Sequence, residues 1–142
     1  MKRAVIDASV VLKWYLPDEA YGEKARALLN RYISEDLEIV APSLLEYEVL
    51  NGLVIAGRRG RIKEDKITLA VEGFINLGIR LVHLSELHSR VVHYCKSYNR
   101  SAYDATYLAL ADEEGIAIIT ADEGLYNILK KDLPWVKWLG DI

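Results

Sequence analysis

Apolar runs of strand length recur along this chain with stretches of helical periodicity between them, an alternation that few folds accept. The short apolar run within Lys2-Arg3-Ala4-Val5-Ile6-Asp7-Ala8-Ser9 that ends on the Asp7 carboxylate, Glu38 to Ala41, Arg80 to Leu84 and Ile116 to Thr120 are β-compatible and bounded by turn residues. The segments between them are long enough for crossover helices. Strands joined in this way pair in parallel and carry helices on both faces, which predicts a three-layer α/β/α domain. The sheet is expected to be mostly parallel and roughly five-stranded, with right-handed crossovers and a last edge strand at Val136 to Leu139. With 142 residues the chain has the length of one domain with one substantial core, so a single domain over residues 1–142 is expected.

The helices take their boundaries from local signals. Ser9 is expected to cap a short helix carrying Val10, Val11, Leu12, Trp14 and Leu16, which Pro17 ends. A second helix is predicted from Glu19 to about Ser34, with Ala25, Leu28, Leu29, Tyr32 and Ile33 at helical spacing. A third starts at Ser43 and stops at Gly57, and a fourth covers Glu64 to Leu77 and stops at Gly78. A fifth is predicted from Ser85 to about Tyr98. Ser101 opens the sixth, Ala102 to Glu114, with Gly115 as its stop, and a short one follows at Asp122 to Lys130.

Composition excludes several classes. Apolar residues make up 51% of the chain, too many for disorder, and no apolar run approaches the roughly 20 residues of a membrane span. The N-terminus enters a strand directly, without the pattern of a secretory leader. The lone Cys95 cannot form an internal disulfide or a multi-cysteine zinc site, which fits a reducing cytoplasm. A net charge of −3 argues mildly against a nucleic-acid partner, unless the acid is gathered around a bound divalent cation that reverses the local field.

Where the acid is gathered therefore matters. Asp7 follows the first strand and Asp122 the fourth, and in open parallel sheets ligands sit beyond the carboxyl ends of strands where strand order reverses. Each also has an ordinary role as an Asx-type cap of the helix after it. Glu48 shares a helical face with Leu44, Leu45, Gly52 and Ile55, an expensive setting for an unpartnered charge. Glu46 has apolar neighbours of its own in Val49, Leu50 and Leu53, and periodicity does not choose between the two. Asn51, one turn after Glu48, adds a second polar group on that side. Ser101-Ala102-Tyr103-Asp104 has the form of a capping box, yet Asp104 also shares its stripe with Leu108 and Ala111.

Four segments carry a family resemblance: Asp7-Ala8-Ser9-Val10-Val11-Leu12-Lys13-Trp14, Glu48-Val49-Leu50-Asn51-Gly52-Leu53, Tyr103-Asp104-Ala105-Thr106-Tyr107-Leu108-Ala109-Leu110-Ala111, and Thr120-Ala121-Asp122. In order and spacing, over nearly the whole chain, they resemble the successive motifs of the PIN-domain nucleases, particularly the VapC toxins of prokaryotic toxin–antitoxin pairs. The resemblance implies a PIN-like domain and a ribonuclease dependent on Mg2+ or Mn2+. It matches Asp7, Glu48, Asp104 and Asp122 to the family's acids, leaves Glu46 outside, and gives Ser9 a supporting position beside Asp7; from its place on the helix, Asn51 is expected to support Glu48. It further implies an RNA substrate, a homodimer and a small antitoxin. Carboxylates suit hard divalent cations, so neither His nor Cys is required. Asp7 and Asp104 are expected to hold the main ion, Glu48 and Asp122 to complete the site directly or through water, and a water to attack the phosphodiester.

Other signals are weaker. His83, His88 and His93 lack the i, i+4 spacing of a zinc site and read as surface or packing residues. Arg58, Arg59 and Arg61 either track an RNA backbone or serve as helix C-terminal partners. Lys13 and Arg100 are alternative phosphate contacts. Trp14 and Tyr15 are expected to pack, and Trp135 and Trp138 to cover the sheet edge. Two competing classes remain at this level. An aspartate-nucleophile phosphatase usually carries a second Asp two residues after the first, where Ser9 stands here. A non-catalytic module would bind a partner through the acidic edge.

Overall fold

Arg3–Ile6 forms β1, whose last three residues are fully buried, as a strand with neighbours on both sides and helices on both faces requires. The computed structural model describes residues 1–142. In it, β1 is followed by α1 (Ala8–Tyr15), α2 (Gly22–Ile33), β2 (Glu38–Pro42), α3 (Leu44–Arg58), α4 (Glu64–Asn76) and β3 (Arg80–Val82). Then come α5 (His88–Tyr98), α6 (Ala102–Glu114), β4 (Ala117–Thr120), α7 (Glu123–Leu129) and β5 (Val136–Trp138). The five strands lie in the order β3-β2-β1-β4-β5, and every pairing is parallel, so the sheet is wholly and not mostly parallel.

The chain steps outward from β1 through β2 to β3, then returns past β1 to lay down β4 and β5. Strand order therefore reverses between β1 and β4. Ile6 pairs with Ile119, which sets Asp7 beside Thr120 where both strands end. With right-handed crossovers, a reversal of direction puts the helices of the return on the opposite face. α6 is buried along seven consecutive residues, Ala105 to Ala111, because it lies between the sheet and α5. Its four alanines let it approach closely. The core is one cluster of 35 buried apolar residues. Gly52 belongs to the same economy of space, since a Cβ there would lie 2.6 Å from the Leu12 side chain; the glycine lets α3 close on α1. No helix is long and apolar enough to cross a membrane.

Several predicted boundaries move, each for a local reason. Asp7, not Ser9, caps α1, because the carboxylate at the strand end accepts the Ser9 N–H at 3.1 Å. Turns over Asp18 to Tyr21, with Tyr21 at φ +60°, delay α2 from Glu19 to Gly22. α3 runs past Gly57 to Arg58, and the left-handed glycine that follows it is Gly60, at φ +73°. A 3-10 turn at Leu84–Glu86 takes the first residues predicted for the fifth helix and shortens β3 to Val82. The sixth helix keeps its predicted limits, with Gly115 at φ +65° as its cap.

Candidate active site

Four carboxylates arrive at the carboxyl end of the sheet from four different elements and line one pocket of about 120 Å3: Asp7, Glu48, Asp104 and Asp122. Asp7 and Asp122 are the caps of α1 and α7, placed by the ends of β1 and β4. Glu48 comes from the second turn of α3 and Asp104 from the first turn of α6. Ala8, Ser9, Tyr107 and Leu125 complete the wall. A larger cavity of about 550 Å3 lies at the other end of β2, around Tyr32, Glu35, Leu37 and Asn76. It gathers no comparable set of ionisable groups, and convergence of such groups is the stronger mark of a site.

Asp7 is the best-held of the four. Its Oδ1 accepts the Ser9 N–H and the Ser9 hydroxyl, and its Oδ2 accepts the Thr120 hydroxyl at 2.5 Å. The same two hydroxyls tie down the chain after β4: Ser9 Oγ accepts the Ala121 N–H at 2.9 Å and Thr120 Oγ1 the Asp122 N–H at 3.0 Å. Burial pushes the Asp7 carboxyl up to about 6. The hydrogen bonds from Ser9 and Thr120 pull the other way, and the charge of Asp122 adds a smaller push upward.

Glu48 is held by one donor, the Tyr107 hydroxyl, at 2.5 Å from Oε1. Its carboxyl is raised by burial first, against the hydrogen bond from Tyr107, with the charge of Asp104 adding to the rise. Burial and the neighbouring Glu48 carboxylate hold the Tyr107 phenol far above its ordinary range, so it donates throughout the working pH range. Asp104 Oδ2 accepts from Arg100 Nη2 at 2.7 Å and Nε at 3.2 Å. Its backbone N–H is capped by Ser101 Oγ at 3.1 Å, but the carboxylate turns to Arg100 instead of completing a capping box. Asp122 Oδ1 accepts the Leu125 N–H at 3.1 Å. Capping and placement in the pocket are thus compatible, because a cap residue stands where a strand ends.

No group of three or more His, Cys, Asp or Glu side chains is arranged to hold a metal ion in this conformation. Each acid instead engages a protein donor, and like charges resist closer approach. One oxygen of each of three acids has no protein partner, namely Glu48 Oε2, Asp104 Oδ1 and Asp122 Oδ2.

The remaining predicted positions separate clearly. Ser9 is in the pocket wall; Asn51 is exposed and outside it, since three residues beyond Glu48 a helix has turned about 60° away. Glu46 lines a separate small cavity with Phe74, Ile75 and Ile79, which resolves its ambiguity with Glu48. Lys13 is buried, with its ammonium 3.9 Å from Glu19. Arg61 is taken up by Asp18 at 2.9 Å and Glu19 at 3.0 Å. Arg58 and Arg59 are exposed at the end of α3, about 15 Å along the helix axis from Glu48. Only Arg100, through Asp104, adjoins the pocket. The three histidines are exposed. Trp14 donates to the Ala25 carbonyl at 2.8 Å, Trp135 packs edge-on against Tyr94, and Trp138 packs on Tyr21 and Tyr126.

Thr120 and Tyr107 are the site residues that the sequence alone does not single out. A hydroxyl closing an apolar strand just before an acid, and a tyrosine one turn after another acid, were the available signals.

The fold and pocket together define a three-layer α/β/α domain with an acidic crevice at the reversal of its strand order. The chain belongs to the PIN-domain family, whose model matches residues 4–131. Ribonuclease VapC3 of Pyrobaculum aerophilum is 28% identical over 125 residues, which are 87% of this chain and 92% of that protein. Ribonuclease VapC9 of Mycobacterium tuberculosis is 31% identical over 118 residues, 83% of this chain and 84% of its own. Among solved structures, PAE2754 of Pyrobaculum aerophilum superposes with a TM-score of 0.62 at 21% identity, covering 89% of this chain and 86% of that one. The Mycobacterium tuberculosis toxin VapC20, described as cleaving the sarcin-ricin loop, superposes with a TM-score of 0.60 at 16% identity over 83% of this chain and 87% of its own. These two likenesses bear on the fold.

Proposed function

We propose that this chain is a divalent-metal-dependent ribonuclease, the toxin of a toxin–antitoxin pair, acting in the cytoplasm. The observation that carries this reading is the convergence of Asp7, Glu48, Asp104 and Asp122 on one pocket between β1 and β4. The names of the relatives, both ribonucleases of the VapC group, point the same way.

The donor set fits Mg2+ or Mn2+. It is all oxygen, with no thiolate or imidazole, and three acids keep an unengaged oxygen. Asp7 and Asp104 would hold the main ion, with Glu48 and Asp122 completing the site directly or through water. The chemistry such an ion supplies is acidification of the attacking water and neutralisation of charge on the phosphorus oxygens. The chain's own part is positional. Ser9 and Thr120 fix Asp7, Tyr107 fixes Glu48, and the burial of Asp7 keeps bulk water from its carboxylate. Arg100, already beside Asp104, is the cation placed to meet a phosphate as well. Hydrolysis then breaks one P–O ester bond as the water oxygen bonds to phosphorus; the water's proton leaves to solvent, and the departing ester oxygen takes one up from solvent.

A homodimer and a small antitoxin belong to the same reading. Beside the acidic pocket lies an apolar groove of about 160 Å3 bordered by Pro42, Leu44, Val82, Leu84, Ala102 and Tyr103. The exposed side chains of Leu84 and Tyr103 at the groove, and of Tyr47 near it on α3, offer the kind of surface that protein partners cover.

The test is incubation of the purified protein with candidate RNAs in Mg2+, in Mn2+ and in EDTA. Cleavage is expected with either ion and is expected to fall to background on chelation. Equal cleavage in EDTA, phosphate release from a small phosphoester in place of RNA cleavage, or metal binding without cleavage of any RNA would overturn the reading. In the same assay Arg61→Ala is expected to leave cleavage within about twofold of the parent, because its guanidinium is spent on Asp18 and Glu19; a large rise in KM for RNA would instead make it a backbone contact.

A further inference from the structure

A single hydroxyl links two of the helices that build the pocket, α6 and α3. Tyr107 sits on α6 one turn after Asp104, with 4% of its surface exposed. Its hydroxyl donates to Glu48 Oε1 on α3 at 2.5 Å, and its side chain lines the pocket together with Asp7 and Ala8. Glu48 has no other hydrogen-bond partner in the protein. A glutamate has several rotatable bonds, and a binding site must remove that rotamer freedom either beforehand or at the moment of binding.

We propose that Tyr107 is a positioning residue for Glu48. Its hydroxyl occupies Oε1 and leaves Oε2 without a protein partner, so that Glu48 would be oriented in advance to help hold a divalent cation beside Asp7 and Asp104. The inference rests on the metal-dependent reading above and goes beyond it, assigning to a residue whose hydroxyl is taken up by Glu48 the task of setting metal affinity. The ordinary alternative is a core tyrosine whose hydroxyl takes the nearest acceptor. The two differ in consequence: a packing role makes Tyr107→Phe a matter of stability alone, whereas a positioning role makes it a matter of ion affinity, and partners that orient a metal ligand typically contribute 10- to 100-fold.

The experiment is a Mn2+ titration, followed calorimetrically and by electron paramagnetic resonance, of the full chain as parent, Tyr107→Phe, Glu48→Ala and the double variant. Tyr107→Phe is expected to weaken Mn2+ binding by about tenfold or more, to lower kcat with KM for RNA nearly unchanged, and to have no further effect once Glu48 is alanine. Parent-like affinity in Tyr107→Phe, or an equal loss in the Glu48→Ala background, overturns the assignment. If Tyr107→Phe does not fold, 3-fluorotyrosine at position 107 keeps ring and hydroxyl. Its fluorine resonance is expected to move with the Mg2+ isotherm in the parent and to stay still in Glu48→Ala; a resonance that ignores Mg2+ in the parent overturns the assignment. A parent that binds no Mn2+ removes the proposed function and this inference together, whereas a parent that binds it beside an unaffected Tyr107→Phe overturns only the inference.

Discussion

Asp7→Asn is expected to lose RNA cleavage by more than about 100-fold and yet, with metal chelated, to melt higher than the parent at neutral pH. The activity loss follows from position: Asp7 stands at the meeting of β1 and β4, and loss of a ligand should exceed the roughly 10- to 100-fold attached to residues that only orient one. The stability gain follows from linkage. Burial raises the folded-state pKa from the ordinary 3.8 to about 6, so the fold favours the protonated form. That contribution is complete below the unfolded value and is lost as pH rises through the folded one. The loss amounts to about 3 kcal/mol across the window from about 4 to about 6. Asparagine carries no charge and caps a helix about as well as aspartate. In EDTA the two proteins should therefore be close in stability near pH 4. The variant should lead by about 1–3 kcal/mol at pH 7.5, or several degrees of melting temperature. A parent that stays the more stable above pH 6 would contradict the cost assigned to the buried carboxylate.

That result would expose a division in what the sequence discloses. The α/β alternation was legible because strand and helix periods differ and the breakers Gly78 and Gly115 fall where helices end. The reversal of strand order between β1 and β4 was only a condition on the argument for Asp7 and Asp122, since pairing partners leave no mark in a single sequence. Once it is met, the two acids stand together. Glu48 and Glu46 were indistinguishable by periodicity because both have apolar neighbours; packing decides, with Gly52 admitting α1 on one side and Phe74 approaching on the other. Asn51 is the opposite case: near Glu48 in sequence, it lies exposed and outside the pocket. Arg61 could not be told from an RNA contact until Asp18 and Glu19 were seen to reach it across the turn before α2. Thr120 stayed hidden because a threonine ending a strand is ordinary in composition, and its importance lies in what faces it.

Thr120→Val carries the second large effect and tests that facing directly. The substitution keeps the shape of a fully buried side chain and deletes only the hydroxyl. Three bonds go with it: the donation to Asp7 Oδ2 at 2.5 Å, the acceptance of the Asp122 N–H at 3.0 Å and a longer contact with the Ser9 hydroxyl at 3.4 Å. A hydrogen bond to a charged group is worth about 1.5–3 kcal/mol, and a part-buried donor left without a partner adds to the loss. The expected destabilisation is about 2–4 kcal/mol, with Thr120→Ser close to the parent. It should grow with pH. The Thr120 hydroxyl is one of the groups that lower the Asp7 pKa, so without it the ionised carboxylate is still more costly, while the protonated form loses less. Chemical denaturation at pH 5 and pH 8 reads the difference, and combining Thr120→Val with Asp7→Asn should cancel most of its pH dependence. A penalty that is flat with pH, or undiminished in the Asp7→Asn background, would mean that Thr120 serves the strand end and not the carboxylate. Cleavage should fall together with stability in Thr120→Val and recover in Thr120→Ser, because one hydroxyl sets the spacing between the two acids that the reversal of the sheet brings together.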